Sequence, residues 1–348
     1  AGGLTTLNVM PGSGHLSSGK TVYMKLRYFD ETGPRTIDDL VYRFDDGDVM
    51  GGLKMANGTN PMRDNGANGW PGTRGKAAFL VRQQYIKAQE YGRKIEAAGG
   101  DESKMPPRDL HLETLLEVMS GKRIVHHHTH RHDDILTVLR LSEEFGFRVV
   151  LHHVSEGWKV AEEIAAAGVP CSVIVLDSPG GKLEAADFSL ETGRILEEAG
   201  VDVSFHTDDW INDSRLFFRD AALAVRYGMS RKGALEALTI RGAEQLDLQG
   251  RVGSLTVGKD ADFIILDGDP FSVYSKVQQT WVEGRKAFDR SRDKDQLYAV
   301  GGYGASQDTA PYFCCYQHLI DQQNAMRFQS RSGIQYGQLI EAGAGGDQ

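Results

Sequence analysis

Five histidines, His126, His127, His128, His130 and His132, fall within seven residues of a chain that has only 11. In the stretch VHHHTHRHDDI, period-two alternation puts His126, His128 and His130 on one face of an extended segment. Neutral imidazole is a common ligand for zinc and similar metals; the competing reading is a polar strand end whose rings are solvated. A second pair, His152 and His153 in VVLHHVSEG, closes the next apolar run. Adjacent strands lie about 4.8 Å apart, so one histidine from each can reach the same ion; packing and hydrogen bonding alone would also account for the pair. Asp208 in VSFHTDDW directly follows an apolar run. A carboxylate there can ligate a metal and take a proton from bound water, or cap a helix, a job that suits Asp209 or Asp213. Lys54 lies inside the apolar stretch GGLKMANG. Burial favours its neutral, nucleophilic amine, which can add carbon dioxide to give a carbamate that bridges two cations. A snorkelling lysine, or one that binds a substrate carboxylate, is the alternative.

These residues need elements to position them. Short apolar runs alternate with longer helical patterns through residue 242, the rhythm of a parallel sheet. The expected strands are 5–10, 21–26, 52–56, 123–128, 148–153, 170–175 and 201–207, a count that fits an eight-stranded barrel lacking its first strand or an open doubly wound sheet. The run 5–10 reads as a core strand. Helical spacing marks 76–98, 110–119, 133–145, 159–167, 191–199, 216–227 and 232–246, and Gly146, Gly168, Gly200 and Gly228 follow four of these as C-terminal caps. The connection 58–122 is long, and its Gly/Asn/Pro-rich start is the kind of loop that often forms part of a binding site. After residue 250, short runs at 254–257, 262–266 and 277–283 predict a small β module. The stretch 291–348 is Gln-, Gly- and Ser-rich and reads as a peripheral or partly disordered tail.

Composition narrows the function. With 348 residues, 40% hydrophobic and a quarter charged, the chain is ordinary globular protein, large enough for an α/β barrel and an appendage. Lys plus Arg number 39 against 48 Asp plus Glu, a formal charge of -9, which argues against a generic nucleic-acid binder. No apolar run is long enough to span a membrane. Three cysteines make neither a disulfide framework nor a Cys-type zinc site. Neither a nucleophile elbow nor a phosphate loop is present.

A strand lysine, a histidine, a histidine on the next strand and an aspartate on a late strand, followed by GSLTVGKDADFIILDGDP, resemble the amidohydrolase superfamily, and most closely imidazolonepropionase and related amidohydrolases. The resemblance covers most of residues 4–289. It implies a metal-dependent hydrolase on a (β/α)8 TIM-like barrel over 1–250, the C-terminal part of a small β-sandwich over 251–290, and the tail 291–348. It also implies a divalent metal, with zinc the first expectation, acting on a small-molecule substrate, and homo-oligomers are common in the family. Carried over by position, Lys54 is the carboxylated fourth-strand lysine, His128 the fifth-strand ligand, His153 the sixth-strand ligand, and Asp208 the eighth-strand ligand and proton shuttle. Catalysis is thereby assigned to Asp208, Lys54 and His128. The register in HHHTHRHDD is open by two residues, which leaves His126 and His130 as supporting or substrate-contacting rings. Arg131, Asn57, Asn60, Arg63, Trp70, Asp209 and Trp210 are the expected substrate walls, an arginine suiting a substrate carboxylate. The family's first-strand His-x-His pair does not precede Thr5, so the expectation is that it lies upstream with the first strand and the rest of the sandwich. The implied reaction is cleavage of an amide-type C–N bond, of a cyclic amide or N-acyl compound, by metal-activated hydroxide. A prolidase-like dipeptidase, or a catalytically inactive metal-binding barrel, are the alternatives.

Overall fold

The apolar runs that lack polar alternation pair side by side as a parallel sheet, because a strand buried on both faces has no solvent side to mark. In the computed structural model, which describes residues 1–27, 36–62, 71–176, 182–209 and 211–300, the strands are β1 (Thr6–Val9), β2 (Ser17–Lys20), β3 (Val22–Lys25), β4 (Leu53–Ala56), β5 (Val125–Thr129), β6 (Val149–His153), β7 (Cys171–Val173), β8 (Val203–Phe205), β9 (Phe263–Leu266), β10 (Val277–Val282) and β11 (Arg285–Asp289). The main sheet runs β2-β4-β5-β6-β7-β8. From β4 to β8 its strands are parallel, while β2 joins β4 antiparallel. Among the described residues this mostly parallel sheet is open, with β2 and β8 at its edges, and no closed barrel is formed.

Two expected barrel strands go elsewhere. β1 and β3 pair with each other in an antiparallel ribbon separate from the main sheet. The run 5–10 is therefore no core strand: every residue of β1 is at least partly exposed. In β3, buried and half-buried positions alternate, whereas every residue of β4, β5 and β6 is buried. Its buried positions are the polar Tyr23 and Lys25 and its half-exposed ones the apolar Val22 and Met24, so the polar pattern of VYMK points to the wrong face.

The outer face of the main sheet, with Leu53, Met55, Val125, Leu151, Val173 and Val203, packs on Tyr85, Leu115, Ile135, Ile164 and Leu196 from the surrounding helices. Tyr85 stacks on both Phe145 and Phe147, with ring centroids 4.9 Å apart in each case. Burying such side chains stabilises by about 1.5–3 kcal/mol each. Close strand approach needs Gly52, where an added Cβ would lie 2.2 Å from the Ile124 carbonyl oxygen.

The long helices follow their spacing: Arg74–Ala98, Leu110–Met119 and His132–Phe145. Gly146, Gly168, Gly200 and Gly228 all adopt positive φ, as expected of helix ends. The pattern over 232–246 is broken into Arg231–Ala237 and Ile240–Glu244 around Thr239, whose β-branched residue sits at φ -132, ψ -94. The pattern over 159–167 splits into a 3-10 turn, Gly157–Lys159, and a helix, Ala161–Ala166.

After residue 250 the chain forms a three-stranded antiparallel sheet, β11-β10-β9. The run 254–257 is turn rather than strand, with Leu255 and Val257 exposed, and β11 supplies the third strand instead. Buried Lys25 ties β3 to this module through Asp260 and Asp262. A last helix covers Asp293–Val300; the remainder of the tail, 301–348, lies outside the described residues.

Candidate metal centre

Parallel register decides which side chains share the inner face. Lys54 lies beside His126, Ala56 beside His128, and His128 beside His152, which is followed by Ser172 and Ser204. The sheet thus has an outer face that is apolar but for His127 and an inner face carrying a lysine and histidines, all buried. By simple alternation His153 would point outward with Leu151. It does not, because the backbone turns there. The Val154 N–H donates to the His152 carbonyl at 3.1 Å, closing a γ-turn on His153, whose φ is +72°; this hand of γ-turn is rare and strained. The His153 ring then packs against His128 at 4.3 Å and His130 at 4.8 Å between centroids.

His128, His130 and His153 each present a ring nitrogen, and the three atoms lie within 4.8 Å of one another. Four-coordinate zinc with Zn–N near 2.0–2.1 Å would need its ligand atoms about 3.3 Å apart, so these nitrogens are within about 1.5 Å of the spacing one ion requires. The chemistry of the set also fits: all three are buried, and burial, then the charge of Lys182, holds His128 well below the usual histidine range, keeping it a neutral ligand.

The next layer orients these rings. His130 Nε2 faces Lys182 Nζ at 3.0 Å, and an ammonium only donates, so the His130 Nδ1–H donates to Ser155 Oγ at 2.7 Å. His128 Nε2 accepts from Lys182 Nζ and Asn60 Nδ2, both at 3.2 Å. Deeper in the sheet, Tyr23 Oη lies 2.9 Å from His126 Nε2, and His126 Nδ1 lies 3.0 Å from His152 Nε2. Burial depresses His126 to about 3, with a further push from Lys54. The charge of Lys54 is also felt at His127, His128 and His152, which places this buried amine beside the cluster.

Asp208 stands on the turn after β8 at φ +44°, its carboxylate 3.8 Å from His153 Nε2. Of five non-glycine residues with positive φ among the described residues, His153, Val154 and Asp208 are here. Such conformations cost about 1–3 kcal/mol each and gather where function demands them.

The expected walls divide. Asn57 Nδ2 donates to the Asp134 carbonyl at 3.1 Å, and Asn60 bridges Ser13 and His128. The Arg131 guanidinium is held by Asp133 at 3.0 and 3.1 Å. Asp209 accepts from Ser214 Oγ at 2.6 Å, and Asp213 caps the 3-10 turn Ser214–Leu216. Arg63, Trp70 and Trp210 lie outside the described residues. Sequence reasoning missed Ser155, Lys182 and His206. Ser155 and Lys182 lie beyond strand ends, and each meets His130 only through the fold, with no pattern in the sequence to pair them with it. His206 precedes Asp208 by two residues and packs 5.0 Å from His153, with Nδ1 3.0 Å from Ser172 Oγ.

A mostly parallel sheet whose strand ends carry such a cluster defines a class of protein, an α/β scaffold with a histidine cluster that fits a divalent cation. Comparison with known proteins narrows it. The model of the Amidohydrolase family matches residues 111–289, just over half of the chain. A solved amidohydrolase from Thermotoga maritima is 33% identical over 83% of this chain and 73% of its own, with a TM-score of 0.74. The chain belongs to the amidohydrolase family. Amidohydrolase tasK of Hapsidospora irregularis is 26% identical, covering 83% of this chain and 31% of its own length. An imidazolonepropionase of Streptococcus pyogenes is 28% identical over 46% of this chain and 45% of its own. The chain thus spans less than half the length of these two curated relatives.

Proposed function

We propose that this chain carries the metal centre of a hydrolase that cleaves an amide-type C–N bond, cyclic or N-acyl, in a small polar molecule. The observation that carries the reading is the convergence of His128, His130 and His153 on one ion-sized space in a chain of the amidohydrolase family. Likeness to imidazolonepropionase favours a cyclic amide or an acid-bearing substrate over other bonds. On this reading the sheet is part of a (β/α)8 barrel, with domains dividing at 1–250, 251–290 and 291–348.

A divalent cation held by these histidines, zinc in the first instance, supplies a Lewis acid for the substrate carbonyl and lowers the pKa of water. The chain does the rest. Lys54, as a carbamate, contributes oxygen ligands from β4. Asp208 accepts the proton of the attacking water and delivers it to the leaving nitrogen. The buried histidine layer behind the ligands keeps bulk water away from the reacting face.

The test is hydrolysis of imidazolone acids, N-acyl amino acids and dipeptides by the zinc-loaded full chain, beside Asp208→Asn. The reading expects turnover of an amide substrate that falls by several orders of magnitude in the variant. Turnover unaffected by Asp208→Asn overturns the assignment. An intact mass higher by one carbon dioxide, lost in acid and absent from Lys54→Met, is expected for the carbamate.

A further inference from the structure

The nitrogen that His130 would offer to a metal is already in use. Its Nδ1–H is engaged by Ser155, so a cation must come to Nε2, which faces the Lys182 ammonium at 3.0 Å. The same ammonium lies 3.2 Å from Nε2 of His128. An imidazole nitrogen has a single lone pair. It accepts from an ammonium or binds an ion, not both. With a metal–nitrogen distance of about 2.0–2.1 Å, an ion on the His130 lone pair would stand roughly 1 Å from Nζ, so the two cannot coexist. A protonated lysine has no lone pair of its own and cannot join the ligand set.

Lys182 also has somewhere to go. Glu184, a buried carboxylate, lies 3.2 Å from Nζ through Oε1, while its Oε2 accepts from Arg74 at 3.0 Å and from the Thr59 N–H at 2.8 Å. The carboxylate is held from the far side by these donors and presents its other oxygen to the lysine. The Lys182 side chain is largely covered yet retains some exposure at the mouth.

We propose that Lys182 is the exchangeable internal cation of this centre: its ammonium holds the lone pairs of His128 and His130 until a divalent ion takes them, and it is then released to Glu184. No proton need move, because the lysine leaves as the cation it was. The inference rests on the metal-centre reading above. It adds that metal loading is a substitution of one cation for another, and that the chain restrains its own affinity for the ion.

The experiment is a zinc competition titration against a chromophoric chelator, using the metal-free full chain and Lys182→Met, which keeps the length and apolar bulk of the side chain without its charge. Loss of the competing ammonium is expected to tighten zinc binding at least about tenfold, the worth of one charge-assisted hydrogen bond. Unchanged or weaker binding by a folded variant overturns the proposal while leaving the metal centre intact. If neither protein binds zinc, both readings fall.

Discussion

Ser155→Ala isolates the orienting layer from the ligands themselves. Ser155 is buried just beyond the γ-turn at His153, and its Oγ lies 2.7 Å from Nδ1 of His130. That bond fixes the tautomer, leaving Nε2 as the atom with a lone pair, and fixes the plane in which the ring lies. Alanine removes the acceptor, and leaving the buried N–H bond unmade costs about 1–3 kcal/mol. Partners of this kind typically account for about 10–100-fold in metal affinity, or about 1.4–2.7 kcal/mol, so the two routes to the magnitude agree. The assay is zinc affinity at neutral pH by chelator competition, with urea unfolding of the metal-free protein as a control for folding. The account predicts weaker zinc binding by about one to two orders of magnitude. Affinity indistinguishable from wild type would refute the reasoning, since His130 could not then be a ligand held by Ser155.

Other consequences can be measured on the metal-free protein. Gly58 has φ +77°, and a Cβ there would lie 2.4 Å from Glu184 Oε2; Gly58→Ala is expected to lose about 1–3 kcal/mol of stability in urea, and a neutral effect would argue against this loop conformation. Burial holds His126 and His127 down to about 3. The unfolded chain therefore binds more protons than the folded one below about pH 6.5, so stability is full above that value and is lost as pH falls towards about 3. The loss is about 3 kcal/mol for each histidine by roughly pH 4.5. A melting temperature that stays flat from neutral to pH near 4.5 would contradict it. Burial also pushes the Cys171 thiol up. Peptide mapping after thiol alkylation should find Cys171 unmodified in the native protein and modified in denaturant; native labelling would place it outside the core.

The sequence made some of this visible for identifiable reasons. Helices such as Leu110–Met119 announce themselves because a single buried stripe repeats every turn. Strands β4 to β8 are legible as short apolar runs, and the histidines on β5 and β6 stand out because polar rings are costly inside such runs. β1 and β3 were misplaced because pairing partners are set by tertiary packing, and β3 inverts the usual pattern by burying Tyr23 and Lys25 while leaving Val22 and Met24 half-exposed. That His153 turns inward could not come from alternation, which assigns that face to His152; a local backbone turn overrides the period. Lys182 and Ser155 reach the cluster across 52 and 25 residues of chain, measured from His130. Contacts of that separation leave no local pattern.

The central claim is that His128, His130 and His153 hold a divalent cation, and elemental mass spectrometry tests it most directly. The full chain would be loaded with zinc, dialysed against metal-free buffer, and compared with the triple variant His128→Ala/His130→Ala/His153→Ala prepared in parallel. The account predicts stoichiometric zinc retained by the wild-type chain and lost from the triple variant. Zinc retained equally by both, or by neither, would contradict it.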